Sequence, residues 1–222
     1  MTVTAIIPTL NEEEWIAGAI ESAFAAGASE VIVADGGSVD RTPRFATGGG
    51  ARVLLSEPNR ARQLNLGAHA ASHETLIFLH ADSRLPAGAA RAVEAALAGG
   101  ADFGGFRIAF VEEWARLRVA AALINLRTSL TRCPWGDQAQ FVRRDTFLDM
   151  GGFLEIPLME DYELAIRMKR RGRSVLLPMT VTTSGRRFLR KGVIRTVAQN
   201  WRTVIRYRMG ADVAALARSY RK

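Results

Sequence analysis

Four short apolar runs constrain this chain more than any other feature: "VTAIIP" (3–8), "EVIVAD" (30–35), "RVLLSEP" (52–58) and "TLIFLHAD" (75–82). None alternates apolar with polar residues, so each reads as a strand buried on both faces. Helical patterns separate them. Residues 13–26 place Trp15, Ile16, Ala19, Ile20 and Ala23 on one face, and residues 61–72 carry Leu64, Ala68 and Ala71. "AGAARAVEAAL" (87–97) follows the fourth run, with Pro86 placed to open a helix. Strand and helix in alternation make parallel strands joined by crossover helices, the pattern of an α/β doubly wound half-domain.

The second half is less regular. "FGGFRIAFV" (103–111), "QAQFVRR" (138–144) and "SVLLPMTV" (174–181) read as strands, and Trp114 to Thr131 as a long helix whose surface offers a homodimer face. A short helix ends at Gly151-Gly152. "EDYELAIRMKRRG" (160–172) carries acids in its first turn, bases in its last and a glycine stop, which predicts a helix. No repeat or low-complexity linker divides the chain. The expected organisation is one domain over 1–185, made of halves 1–100 and 101–185, followed by a tail over 186–222.

The net charge of +8 belongs to that tail. Residues 186–222 hold 11 Lys or Arg and one Asp, a net +10, which leaves −2 for residues 1–185. In "GVIRTVAQNWRTVIRYRMG" (192–210), Val193, Val197, Trp201, Val204 and Ile205 share one helical face, with Arg195, Gln199, Arg202 and Arg206 opposite. A basic amphipathic helix centred on tryptophan suits an anionic membrane surface over 190–209, or partial docking on the core. An acidic core and a single Trp-centred stripe supply no stacking platform, so specific nucleic-acid binding ranks low. No apolar run reaches the roughly 18 residues of a membrane span. The first residues lack the basic, then apolar, pattern of a secretory signal. Cys133 is the only cysteine, so no internal disulfide forms. A reduced, cytoplasmic setting follows as the expectation, with peripheral attachment to the inner face of the membrane, and a lipid-linked acceptor, if the tail binds lipid.

Open parallel sheets bind ligands beyond the carboxyl ends of their strands. The first strand ends in Pro8-Thr9-Leu10-Asn11-Glu12, the second in Asp35-Gly36-Gly37-Ser38 with Asp40 and Arg41 behind. The third leads to Glu57, Arg60 and Arg62, and the fourth ends in His80-Ala81-Asp82. Four junctions therefore deliver acids, arginines and small turn residues to one edge. Such a set suits an oxygen-rich anionic ligand with a hard divalent ion, for which Asp82 is the best carboxylate. Neither a G-x-G-x-x-G after the first strand nor a G-x-x-x-x-G-K-[ST] is present, which removes the nicotinamide and P-loop classes. His69 and His73 stand four apart on a predicted helix without a third ligand, and read as surface or packing residues.

The segments 5–24, 31–42, 76–86, 136–153 and 159–172 fall in the order and spacing of family 2 glycosyltransferases. The resemblance covers about residues 3 to 180. It implies the GT-A fold and inverting transfer of a sugar from a nucleoside diphosphate to an acceptor hydroxyl. It places Pro8, Thr9, Glu12, Asp35 and Gly37 at the nucleotide, Arg62 near the diphosphate, and Asp82 as the last acid of the D-x-D motif and the metal ligand. Asp161 matches the general base, with Glu160 beside it to tune or orient it. Trp135, Gly136, Asp137 and Gln138 match an acceptor-side loop, a stretch that also reads as a turn packed by an aromatic.

Two departures stand out. Asp-Asp-Gly-Ser appears as Asp35-Gly36-Gly37-Ser38, and the first acid of D-x-D is His80. A neutral imidazole can join a metal shell or bond a ribose but brings no charge, which either weakens affinity for Mg²⁺ or Mn²⁺ or shifts the preference toward Mn²⁺. A degenerate, inactive transferase stays open on this ground. A sugar-nucleotide nucleotidyltransferase shares the architecture, yet usually carries a Gly-rich basic loop where this chain has "PTLNEEE".

Overall fold

The computed structural model describes residues 2–221. Its first half contains β1 (Val3–Thr9), α1 (Ile16–Ala25), β2 (Glu30–Asp35), α2 (Thr42–Gly48), β3 (Arg52–Leu55), α3 (Arg60–Ala70), β4 (Thr75–Phe78), β5 (Ser83–Arg84) and α4 (Ala89–Ala98). The second half adds β6 (Phe103–Phe110), α5 (Ala115–Thr131), β7 (Phe141–Arg143), α6 (Arg144–Asp149), α7 (Glu160–Arg171) and β8 (Ser174–Thr183). Helices α8 (Arg186–Lys191), α9 (Val193–Arg208) and α10 (Val213–Arg221) form the tail.

The strands make one sheet in the order β3-β2-β1-β4-β7-β6-β8-β5. Pairs β3-β2, β2-β1, β1-β4 and β6-β8 are parallel, while β7 runs antiparallel to both neighbours. Its reversal keeps β6 and β8 parallel to β1, so β1, β2, β4, β6 and β8 all end at one edge. Both faces of the sheet are covered. Val3, Ala5 and Ile7 pack with α1 and α4, whereas Ile6, Ile32, Leu76 and Phe78 pack with α3, α6 and α7. Those two layers explain why the strand sequences show no polar face.

Several elements differ from the sequence expectation. Helix α1 begins at Ile16 because the carbonyl of Glu12 closes a turn onto the N–H groups of Trp15 and Ile16. The Asn11 side chain accepts from the Val39 N–H, tying the first loop to the second. Pro86 does not open α4, which starts three residues later behind a left-handed Gly88. Residues 79–82 leave the sheet, and the two-residue β5 pairs antiparallel with the far end of β8. His73 lies beyond the end of α3, so it does not share a helix face with His69.

The tail folds back on the domain. The inward stripe of α9 is Thr196, Thr203 and Val204, with Val193, Val197 and Tyr207 partly covered, rotated from the face expected. Trp201 and Ile205 are 48% and 53% exposed, and with Ile194 and Met209 they form an outward apolar stripe. Gln199 is not on a solvated face; it donates to the backbone carbonyl of Tyr220 at 3.1 Å. Helix α5 similarly turns Val119, Leu123, Leu126 and Leu130 outward. No described helix is long and apolar enough to cross a membrane.

Candidate active site

The common strand edge opens into a pocket of about 610 Å³ that gathers His80, Asp82, Trp135, Asp137, Glu160 and Asp161. Each arrives for a local reason. Beyond β4, Leu79 still donates to the Ile6 carbonyl at 2.9 Å, and the Ser83 N–H then donates to the His80 carbonyl. That turn lifts His80 and Asp82 above the sheet while Ala81 stays buried between them. Asp161 sits in the first turn of α7, behind a left-handed Met159.

Asp161 is held from three sides. Its Oδ2 accepts from the Gly136 N–H at 2.7 Å and its Oδ1 from the Tyr162 N–H at 2.7 Å. The buried Gln140 donates to its backbone carbonyl at 2.9 Å. Gly136 lies between Asp161 and His80: a Cβ there would stand 3.0 Å from both Asp161 Oδ2 and His80 Nε2. Beside it, Glu160 is buried and paired with Arg60 Nε.

Asp35 is completely buried, and its oxygens are engaged within the loop it starts. Oδ1 accepts from the Thr9 and Ser38 hydroxyls, Oδ2 from the Gly37 and Ser38 N–H groups. Gly37 makes this wrap with φ +89°, a conformation glycine adopts without penalty. Gln63 then donates to the carbonyls of Thr9 and Ala34, fastening the ends of β1 and β2 together. Asp35 and Thr9 therefore build the first two loops from within, and Pro8 faces a small hollow beneath His80.

Arg62 is not in the pocket. It lies exposed between Glu57 and Glu155, and Arg60 lines the pocket in its place. Two residues apart on a helix is about 200°, and Asn59, which caps α3 by accepting from the Arg62 N–H, fixes which of the two faces in. Gln138 is also structural, bonded to Thr128, Arg127, Trp135 and Phe106. Trp135 lines the pocket with the Arg127 guanidinium 3.6 Å over its ring.

The tail, expected from sequence to act through its charge, also supplies residues to the site. Arg186 Nη2 reaches both oxygens of Glu12 at 2.7 and 2.9 Å and lies 3.3 Å from Asp82 Oδ2. Arg187 lines the pocket together with Asn200 and Tyr220. The signal for them lies in chain order: Arg186 and Arg187 are separated by two residues from β8, which ends at the same edge as the strands that supplied the other residues.

Burial, reinforced by the Arg60 guanidinium, pushes the His80 imidazole down to about 4, so it is neutral near pH 7. Burial pushes the Asp137 carboxyl up to about 6, and its Oδ1 has no hydrogen-bond partner. The Cys133 thiol is pushed up to about 11 by burial, as suits an inert packing residue. Asp137 carries a pH signature. Its native form binds a proton more tightly than the unfolded chain, so the cost of ionising it is absent below about pH 3.8 and complete above about pH 6. Asp137→Asn is accordingly expected to raise Tm at pH 7.5 and to have little effect at pH 4; thermal melts at both pH values check this.

A sequence profile described as Glycosyl transferase family 2 matches residues 4–197. The chain belongs to this glycosyltransferase family. No curated protein sequence matches it. Among solved structures, Staphylococcus aureus TarS is similar at TM-score 0.66 and 18% identity, over 83% of this chain and 37% of TarS. TarS residues 1–349 in complex with UDP-GlcNAc match at TM-score 0.62 and 16% identity, over 83% of this chain and 56% of that one. Glucosyl-3-phosphoglycerate synthase from Mycobacterium tuberculosis, in complex with Mn²⁺ and UDP-glucose, matches at TM-score 0.57 and 22% identity, over 82% of this chain and 70% of that one. At these identities the likeness establishes the GT-A fold. The family-2 profile runs past residue 185 into α9, so the tail's first helices lie within the matched region.

Proposed function

We propose that this family-2 glycosyltransferase moves a sugar, with inversion, from a nucleoside-diphosphate sugar to an acceptor hydroxyl, and that Asp161 is its general base. One observation carries the reading: a carboxylate fixed by two backbone N–H groups faces the same pocket as the His80-Ala81-Asp82 turn. The donor's nucleotide lies along the loops from Pro8 to Glu12 and from Asp35 to Ser38, which Asp35, Thr9 and Gln63 shape from behind. Its diphosphate lies toward Asp82, where Arg186 puts a permanent positive charge. As the anomeric C–O bond breaks, negative charge grows on the diphosphate, and preorganised cations stabilise it without rearrangement. On the opposite face of the sugar, the acceptor oxygen attacks while Asp161 takes its proton. Glu160, neutralised by Arg60, keeps the start of α7 in place.

Asp82 and His80 are the residues that would hold a divalent ion. The fit rests on donor chemistry: one carboxylate and one neutral imidazole open on the same pocket. The remaining positions of the shell would fall to phosphate oxygens and water, as is usual for Mg²⁺ and Mn²⁺ sites, and the imidazole favours Mn²⁺. A bound cation supplies Lewis-acid stabilisation of the leaving diphosphate.

Activity is tested by following nucleoside diphosphate release from UDP-, GDP- and dTDP-sugars with hydroxyl acceptors. Turnover of one donor supports the reading; no turnover of any donor supports a degenerate transferase instead. The outward stripe of α9, flanked by Arg195, Arg202 and Arg206, supports peripheral binding to an anionic membrane surface over 190–209. The protein is expected to sediment with phosphatidylglycerol vesicles but not phosphatidylcholine vesicles, and Trp201→Glu to release it. Equal sedimentation of the Trp201→Glu protein would remove that role.

A further inference from the structure

Arg186 and Arg187 are adjacent, yet their guanidinium groups serve different walls of the pocket. Arg186 turns to Glu12 and Asp82, on the donor side. Arg187 turns to the tail: its Nη1 donates to the Tyr220 hydroxyl, its Cζ lies 3.9 Å over the Tyr220 ring, and the hydroxyl donates onward to Asn200 Oδ1 at 2.9 Å. Among the described residues no carboxylate pairs with Arg187, and its Nη2 is buried with no hydrogen-bond partner. A buried guanidinium nitrogen without an acceptor is costly. Three of the acids in the pocket are answered, Glu160 by Arg60, Asp82 by Arg186 and Asp161 by backbone N–H groups, while Asp137 keeps its Oδ1 without a partner. The wall around Arg187 is otherwise apolar or neutral, made by Phe188, Thr196, Asn200, Val204 and Tyr220.

We infer that Arg187, positioned by Tyr220 and Asn200, is the anion anchor of the acceptor subsite, and that the acceptor is a hydroxyl compound bearing a carboxylate or phosphate. The inference rests on Asp161 being the base, since the subsite is defined by lining the same pocket as that carboxylate. With the anion on Arg187, the acceptor hydroxyl is presented to the sugar. Its oxygen bonds to the anomeric carbon, the bond to the diphosphate breaks with its electron pair leaving on the nucleoside diphosphate, and the hydroxyl proton passes to Asp161. A guanidinium suits such an anchor because its planar fork matches carboxylate and phosphate oxygens. The same chemistry is met by a small soluble acid or by the phosphate of a lipid headgroup.

The test measures binding rather than turnover. Calorimetry with glycerol 3-phosphate and, as its neutral counterpart, glycerol is run on the wild type and on Arg187→Gln, Tyr220→Phe and the exposed-site control Arg190→Gln. UDP, GDP and dTDP binding is measured in parallel on the same proteins. In a second arm, vesicles of phosphatidylglycerol or phosphatidylcholine replace the soluble probe. The expected result is binding of the anion but not of glycerol, weakened at least tenfold by Arg187→Gln, less by Tyr220→Phe, and unchanged by Arg190→Gln. Nucleotide binding should be the same in all four proteins. Response to glycerol 3-phosphate identifies a soluble acceptor class; Arg187-dependent capture by phosphatidylglycerol vesicles alone identifies a lipid headgroup. The inference is overturned if neither anion source binds, if glycerol binds equally, or if Arg190→Gln weakens binding as much as Arg187→Gln. It is overturned also if Arg187→Gln abolishes nucleotide binding, which would assign the guanidinium to the donor. Absence of nucleotide binding in the wild type counts against the transferase reading itself, a separate outcome.

Discussion

Asp161→Asn is expected to lower kcat by about 10²–10⁴-fold while leaving nucleotide affinity and melting temperature close to wild type. The amide is isosteric and its carbonyl can keep the bond from Gly136 or the bond from Tyr162, so the first turn of α7 stays formed. What it cannot do is accept the acceptor's proton. The separation of kcat from binding matters, because a purely structural carboxylate at a helix start would show the reverse: altered stability with little change in chemistry. A kcat within a few-fold of wild type would remove Asp161 as the base. Gly136 gives a second handle on the same geometry, since a side chain there would press on both Asp161 and His80.

The largest stability effect is expected at the pair beneath it. Glu160 has only 3% of its side chain exposed and finds its charge partner in Arg60, whose own side chain is 41% exposed. Removing one partner of a fully buried pair costs about 3–5 kcal/mol because a buried charge is left unanswered. Solvent access on the Arg60 side reduces this, and about 2 kcal/mol is the expected cost of Arg60→Met. For a domain of this size that corresponds to roughly 4–8 °C in Tm. The double variant Arg60→Met/Glu160→Gln removes both charges and should recover most of the loss. If the double variant is as unstable as Arg60→Met, packing of the arginine stem rather than the charge pair is what holds α7.

The parallel half of the fold is readable in the sequence because its physics is local. Strands β1, β2 and β4 are apolar on both faces, and α7 carries acids, bases and a glycine stop in the right places. Helix α2 is not readable: seven residues containing Pro43, two threonines and a glycine show no period, and it forms because Ala46 plugs the core beside α1. The two-residue β5 exists only through its pairing with β8, a contact about a hundred residues away. The site divides in the same way. His80, Asp82 and Asp161 stand at ends of legible elements, so the edge rule finds them. Choosing Arg62 over Arg60 fails because the choice depends on the rotation of α3, which its cap sets. The inward stripe of α9 contains Thr196 and Thr203, polar residues that no hydrophobic pattern selects, since that face completes a pocket as well as a core. Tail basicity likewise conceals Arg186, which pairs with Asp82, and Arg187, which lines the pocket.

The central claim is that the edge bearing His80 and Asp82 binds the diphosphate of a nucleotide sugar. It is tested most directly by thermal shift with UDP, GDP, dTDP and their sugar conjugates, in Mn²⁺, Mg²⁺ or EDTA, on the wild type and Asp82→Ala. A ligand at about 100 times its Kd stabilises the folded state by roughly 2.7 kcal/mol, well within detection. Stabilisation by one nucleotide class is expected, larger with Mn²⁺ than with EDTA, and lost in Asp82→Ala. No shift with any nucleotide, or a shift of equal size in Asp82→Ala, would contradict it.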